Sequence, residues 1–267
     1  MRYAAATVLA LIVPLLACSP VEGPPTLTAS APTRTGILLA GDAVATPLVR
    51  ALARDFAARQ PGPAITVASP LGTRGGVRAL DADRLSGALV VTVEEAPPRA
   101  GAFSLGRTRV VVAVGPGVRE RTLTADALVD LFAGRQPAWS DKLPVRVLLG
   151  PVGDLPEAAL SRRLPGLAEA ITSARATHRW PAEGAADTRR SRLERTAGAV
   201  TIATEGNLRL EGTAAWMVEL IQAPPTDVFL WLVPGPRAEP RLAQFGAFVS
   251  SAAARSTMTD FGFELTR

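Results

Sequence analysis

The sequence predicts an α/β fold, and three observations carry that expectation. Short apolar runs recur along the chain, segments with apolar residues at helical spacing lie between them, and glycine or proline marks most of the junctions. Short strands that alternate with helices in this way build sheets covered by helices.

Taken in order, the first strand is expected at residues 36–40 (GILLA). Thr46 is placed to cap a helix whose first position is Pro47, where a fixed φ suits the helix and no donor is lost. Leu48, Val49, Leu52 and Phe56 form the buried stripe of that helix, and Pro61 closes it. Residues 64–68 give a second strand. Residues 72–76 (GTRGG) then read as a glycine-rich turn ahead of a short helix from Val77. Such a turn can set backbone N–H groups around an anion, or it can be an ordinary strand-to-helix connection. Residues 88–93 and 109–114 are further strands. Thr124 as cap, Asp126 in the first turn and Leu123 placed to staple against Leu128 mark a helix start, and Gly134 can end that helix. Residues 145–149 are strand-like, and Asp154 followed by Glu157 fits a capping box. Helical pattern returns over 185–195, Gly198 turns the chain into a strand at 199–203, and 228–233 is another strand. Helices over 240–249 and 252–259 complete the series, with no internal repeat.

The chain has 267 residues, 48% hydrophobic and 20% charged, enough for one large domain or two modest lobes with real cores. The net charge of +5 is mild and spread along the chain, and Lys142 is the single lysine. The densest basic run, Arg189, Arg190 and Arg192 around Ser191, has no interleaved aromatic residues, so it reads as a solvated helix face. No nucleic-acid partner is expected. Residues 1–17 read as a signal peptide: Arg2 gives a short positive region, and the apolar stretch over 4–16 is too short to span a membrane comfortably. The stretch ends in LLAC, which looks like a bacterial lipobox with Cys18 as the lipidated residue; an ordinary secretory signal is the alternative. Either places the protein outside the cytoplasm. Cys18 is the only cysteine, so no disulfide within the chain and no cysteine metal cluster can form. Residues 18–35 are rich in proline, serine and threonine and read as a flexible tether.

The inventory speaks against catalysis. His178, the only histidine, lies in THRW, and the serines show no nucleophile-elbow spacing. Glu94 and Glu95 follow a strand and point to opposite sides of an extended backbone, so they are no carboxylate pair. Lys142 lies far from any glycine run, which excludes a Walker-type phosphate loop. No cofactor and no metal site is expected.

The order of these pieces resembles the phosphate-binding-protein-like (PstS-like) family of periplasmic solute-binding proteins. Its markers are Gly41 with Thr46, Pro47, Leu48 and Val49; residues 72–77 (GTRGGV); Leu123 and Thr124 through 131–134 (LFAG) and Trp139; residues 198–200 (GAV); and Phe245, Phe248, Phe261, Gly262 and Phe263. The likeness covers residues 36–265. It implies a two-lobed periplasmic-binding-protein-like fold of type II, each lobe a mixed sheet flanked by helices, with two crossover strands and a ligand held between. Lobe 1 would comprise 36–103 plus 226–267, and lobe 2 104–225.

In that family an oxyanion sits where helix N-termini and hydroxyls converge from both lobes, an arrangement that suits a group needing N–H and O–H donors. Carried over residue by residue, the candidate ligand-binding positions here are Asp42, Thr46, Thr73, Arg74, Gly75, Gly153 and Asp154. Three departures stand out. Asp42 occupies a position where the family favours serine, and Val44 one where it favours threonine. Arg74 replaces a serine; it either adds charge to the cleft or extends into solvent. Residues 150–157 (GPVGDLPE) lack the arginine and the hydroxyls the family often carries there, and Asp154 is expected to cap its own helix.

The leading expectation is a membrane-tethered solute-binding protein for a phosphate-like oxyanion or a changed small ligand, serving an ABC transporter permease or a sensor, and acting as a monomer. The alternative is a ligand-free scaffold or accessory lipoprotein. Binding predicts a closed cleft lined by Thr46, Thr73, Arg74 and Asp154. Loss of binding predicts those side chains satisfied locally.

Overall fold

The structure is a computed structural model, and it describes residues 36–176, 186–212, 216–236 and 240–266. The signal peptide, Cys18, the tether up to residue 35, and His178 lie outside the described residues. So do the side chains of Arg189 and Arg190 in the basic run.

Among the described residues the strands are β1 (Ile37–Gly41), β2 (Ile65–Val67), β3 (Gly87–Thr92), β4 (Phe103–Val114), β5 (Thr122–Thr124), β6 (Arg146–Val147), β7 (Ala199–Thr204), β8 (Met217–Ile221), β9 (Asp227–Pro234) and β10 (Phe263–Glu264). The helices are α1 (Thr46–Arg59), α2 (Gly72–Asp81), α3 (Ala125–Ala133), α4 (Leu155–Ser161), α5 (Leu167–Ala176), α6 (Ala186–Arg195), α7 (Glu205–Leu210), α8 (Pro240–Val249) and α9 (Ala252–Asp260). This is a mixed α/β fold, as the alternation of apolar runs predicts.

The strand order is β2-β1-β3-β9-β4-β7-β6. β1 runs parallel to β2 and β3, while β9 is antiparallel to both β3 and β4. The long strand β4 changes neighbours midway. Residues Phe103 to Arg109 pair with β9, with a bulge between Ser104 and Gly106, and Val110 to Val114 pair with β7. Its first half also holds β10 and its second half β8.

Side-chain alternation explains why helices cover both faces of β1, β3 and β9. Ile37, Leu39, Leu89, Val91, Leu230 and Leu232 join one buried cluster with Leu48, Leu52 and Phe56 of α1. Ala40, Ala88, Val90 and Trp231 point the other way, into a cluster with Ala79 and Leu80 of α2. The aromatic markers near the C-terminus close the first cluster. Phe56 meets Phe245 edge-on at 5.5 Å, and the Arg241 guanidinium lies over its outer ring face at 4.1 Å. Trp139 is buried and donates its indole N–H to the Gly198 carbonyl at 2.9 Å, joining two of the family-like markers.

Several expected element ends are seen. Thr124 accepts a capping hydrogen bond from Ala127 N–H at 3.1 Å, and Gly134 ends α3 at φ 70°. α8 has the expected bounds. Three expectations about caps and turns are corrected. Residues 72–76 are not a turn before a helix at Val77; they are the first turns of α2 itself. One glycine there serves proximity: a Cβ on Gly76 would stand 2.8 Å from Gly41 Cα, so α2 can lie directly on β1 only because Gly76 lacks one. Thr46 does not cap α1, since the N-cap position is Ala45 and the Thr46 hydroxyl donates to the Asp42 carbonyl at 2.9 Å. Asp154 sits at the N-cap of α4, yet its carboxylate accepts no capping hydrogen bond. The expected capping box does not form because Glu157 is drawn elsewhere.

Candidate functional site

The candidate residues gather where the loop from β1 to α1 meets the N-terminal end of α2. Asp42 follows the last residue of β1, and its main-chain N–H donates to the Leu89 carbonyl of β3 at 2.9 Å. That bond fixes the backbone and turns the carboxylate toward the two helix starts. One carboxylate oxygen accepts Val44 N–H at 2.9 Å, and the other accepts the Thr73 hydroxyl at 2.9 Å. The Thr73 hydroxyl in turn accepts Val91 N–H at 3.3 Å, so its direction is fixed.

Burial raises the Asp42 pKa above its ordinary range; the Val44 N–H and the Thr73 hydroxyl oppose this, and the nearby Asp154 carboxylate adds to it. Desolvation disfavours the charged form, and among the described residues no arginine or lysine contributes to holding it. The repulsion places the Asp154 carboxylate near Asp42.

The remaining candidates divide. Thr46 is buried and satisfied by the Asp42 carbonyl. Arg74, next to Thr73 in the first turn of α2, is exposed. Gly75 packs against Leu71 within α2. Gly153 adopts φ 82° in the turn that ends with Asp154 N–H donating to the Pro151 carbonyl. Thus Asp42, Thr46, Thr73 and Asp154 come together, and Arg74 does not join them.

The segment over 150–157 holds what sequence reasoning missed. Glu157 is buried, and its carboxylate accepts Gly150 N–H and pairs with Arg175 of α5. Arg175 also donates to the Gly150 carbonyl at 2.7 Å. An arginine therefore does reach this turn, from a residue 25 positions further along the chain. No local pattern signals it. The sequence pattern pairs Glu157 with Asp154 as a capping box, which points away from the arginine.

Beside this turn lies a cavity of about 70 Å³, lined by Val44, Pro151, Asp154, Thr201, Thr204 and Asn207 among others. Thr201 is satisfied by the Leu148 carbonyl at 2.8 Å. The Thr204 hydroxyl and the Asn207 carbonyl oxygen are buried without a hydrogen-bond partner. Both follow the expected strand over 199–203, where polar residues directly after a buried strand were the available signal. Among the described residues no group of three or more histidine, cysteine, aspartate or glutamate side chains is placed to hold a metal. No described helix is long and apolar enough to cross a membrane.

No protein-family model matches the chain, and no curated protein matches it. Solved structures do. A candidate phosphate ABC transporter substrate-binding protein from Clostridium perfringens, with bound phosphate, superposes with a TM-score of 0.69 at 12% identity, over 87% of this chain and 100% of that one. A molybdate-binding protein from Azotobacter vinelandii gives 0.58 at 14% identity, over 86% and 100%. An ABC-type phosphate transport receptor from Vibrio cholerae gives 0.57 at 15%, over 86% and 100%. At such identities the likeness speaks for architecture. Together with the sheet order and the strand shared between two pairings, it shows that the chain has the two-lobed type II periplasmic-binding-protein-like fold.

Proposed function

We propose that the chain is an extracytoplasmic solute-binding protein, tethered to a bacterial membrane through Cys18 and serving an ABC transporter or sensor, whose cleft refuses phosphate-like dianions. The lobes would be 36–103 plus 226–267 and 104–225, with the cleft between them. One observation carries the exclusion: the donors expected to greet an oxyanion, Val44 N–H and the Thr73 hydroxyl, are already bound to the Asp42 carboxylate. A dianion would have to displace that carboxylate and then lie beside it and Asp154. Arg74, exposed on α2, does not offset those charges.

The test is calorimetric titration of the full chain in detergent with phosphate, sulfate and molybdate. The wild type is expected to give no saturable heat, and Asp42→Ser, which frees both donors, is expected to gain saturable phosphate binding. Micromolar phosphate binding by the wild type that weakens in Arg74→Ala sinks the proposal. The anchor is tested separately: Cys18→Ala should move the chain from the membrane to the soluble fraction.

The local satisfaction of Thr46 and Thr73 also favours the alternative, a ligand-free scaffold. Against it, the exposed large apolar side chains among the described residues are Leu71, Val152 and Ile221, scattered singly. Such single residues are ordinary surface and make no docking patch. Trp231 is buried and donates its indole N–H to Thr92.

A further inference from the structure

Two lobes joined by crossover strands swing against each other unless a further contact ties them, since relative motion is the default where an interface is small. Here such a tie stands beside the crossovers. It joins α7, in the segment over 104–225, to Gly262 and Phe263, in the segment over 226–267, and it is built around one hydroxyl. Thr108 of β4 is buried. Its hydroxyl accepts Gly206 N–H of α7 at 2.9 Å and donates to the Gly262 carbonyl at 3.1 Å. The N-cap residue of α7, Thr204, makes no side-chain cap of its own, so a strand outside the helix answers the free N–H in its first turn.

Side chains close over these bonds. Phe263 is fully buried, and a Cβ on Gly206 would fall inside contact distance of its ring, so the ring lies directly on the α7 backbone. Gly262 has φ 70°, and a Cβ there would stand 2.9 Å from Arg209 Cδ and 3.1 Å from Glu205 Cγ. Those two side chains are themselves paired, Arg209 Nε donating to Glu205 Oε1 at 2.8 Å. β10 is fixed to β4 by the pairing of Phe263 with Thr108 and Glu264 with Arg107. Arg107 also reaches Glu264 at 2.7 Å and Asp227 of β9 at 3.3 Å through its side chain. On another side α7 touches α1.

Rotation of one lobe against the other would draw Gly206 or Gly262 away from Thr108, leaving a buried N–H or C=O unpaired, and would lift the Phe263 ring off the helix. Resting on the two-lobed reading and the lobe bounds proposed above, we infer that this joint is a lock that holds the lobes at one opening angle. Solute then enters and leaves a cleft of fixed width, and its binding is not coupled to lobe closure.

The experiment measures a distance between two nitroxide labels by double electron–electron resonance on the full chain in detergent. The chain carries Cys18→Ala, so the labels attach only at Arg78→Cys on α2 and Glu169→Cys on α5, both exposed positions. One narrow distance is expected. Thr108→Val, which keeps the shape and loses the hydroxyl, should add a second distance, whereas Thr108→Ser, which keeps the hydroxyl, should not. Circular dichroism reports that each variant folds. Phe263→Leu, a milder change at the ring, carries the same expectation as Thr108→Val and replaces it if that variant is unfolded. Two distances in the chain with Thr108 and Phe263 intact overturn the lock. A single unchanged distance in folded Thr108→Val or Phe263→Leu overturns it too. Neither result touches the phosphate exclusion, which calorimetry decides separately.

Discussion

Asp42 and Glu157 occupy matching situations at two loops, the one after β1 and the one before α4, and they differ in one respect. Each carboxylate accepts a backbone N–H of a turn that an anion could otherwise use: Val44 N–H in one case, Gly150 N–H in the other. Glu157 is answered by Arg175, so its charge is balanced locally. Among the described residues Asp42 is answered by neutral donors and lies near another acid, and burial pushes its pKa up. A buried carboxylate with a guanidinium partner is a fixed part of the architecture. One without a cation keeps a reason to exchange a proton or meet a positive ligand.

The sharpest way to break this contrast is Glu157→Ala. It leaves Arg175, whose side chain is 18% exposed, without its carboxylate and Gly150 N–H without an acceptor. A loss of about 3 kcal/mol is expected, read by chemical denaturation. Next comes Gly76→Ala, which forces α2 away from β1 because the new Cβ would stand 2.8 Å from Gly41 Cα. About 2 kcal/mol should be lost, and the link between Thr73 and Asp42 should loosen with it. Thr73→Val removes the hydroxyl that serves both Asp42 and Val91 N–H, at an expected cost of about 1 kcal/mol.

The smallest effect is a change of slope. With its pKa raised, Asp42 favours the folded state when protonated. Its contribution is fully present below the ordinary value of 3.8 and is lost as pH rises through the raised one. Asp42→Asn should flatten that part of the stability–pH curve in thermal unfolding. A slope as steep in the variant as in the wild type would remove Asp42 from its half of the comparison.

Much of the scaffold was legible because it is local. Thr124 and Gly134 bound α3 through hydrogen bonds within a few residues, and α8 and β9 follow from period and apolar run. The start of α2 was not legible, since glycines that favour turns by propensity are held in a helix by contact with β1. The short helices α5 and α7 carry no strong start signal. In the candidate site, the sequence named Asp42, Thr73 and Asp154, whose neighbours are set by the β1 and α4 loops. It could not name Arg175, which reaches its partner across 18 positions, or the unpaired state of Asn207, which depends on what the fold leaves out. The sequence marks Asp42 as a ligand candidate, and the two donors it holds also give it a structural role.

The strand β4 carries a mechanical consequence. Because one run of backbone pairs with β9 in its first half and β7 in its second, a slip by a single residue would turn side chains inside out on both pairings at once. The bulge at Ser104 and Gly106 pins the first half, and the pairing of Val110 with Thr204 sets the second. The unpaired hydroxyl in the cavity wall is therefore indexed, through one continuous strand, to the bulge beyond it. Such a strand works as a ruler: it transmits position along its length and leaves rotation about its axis as the soft coordinate.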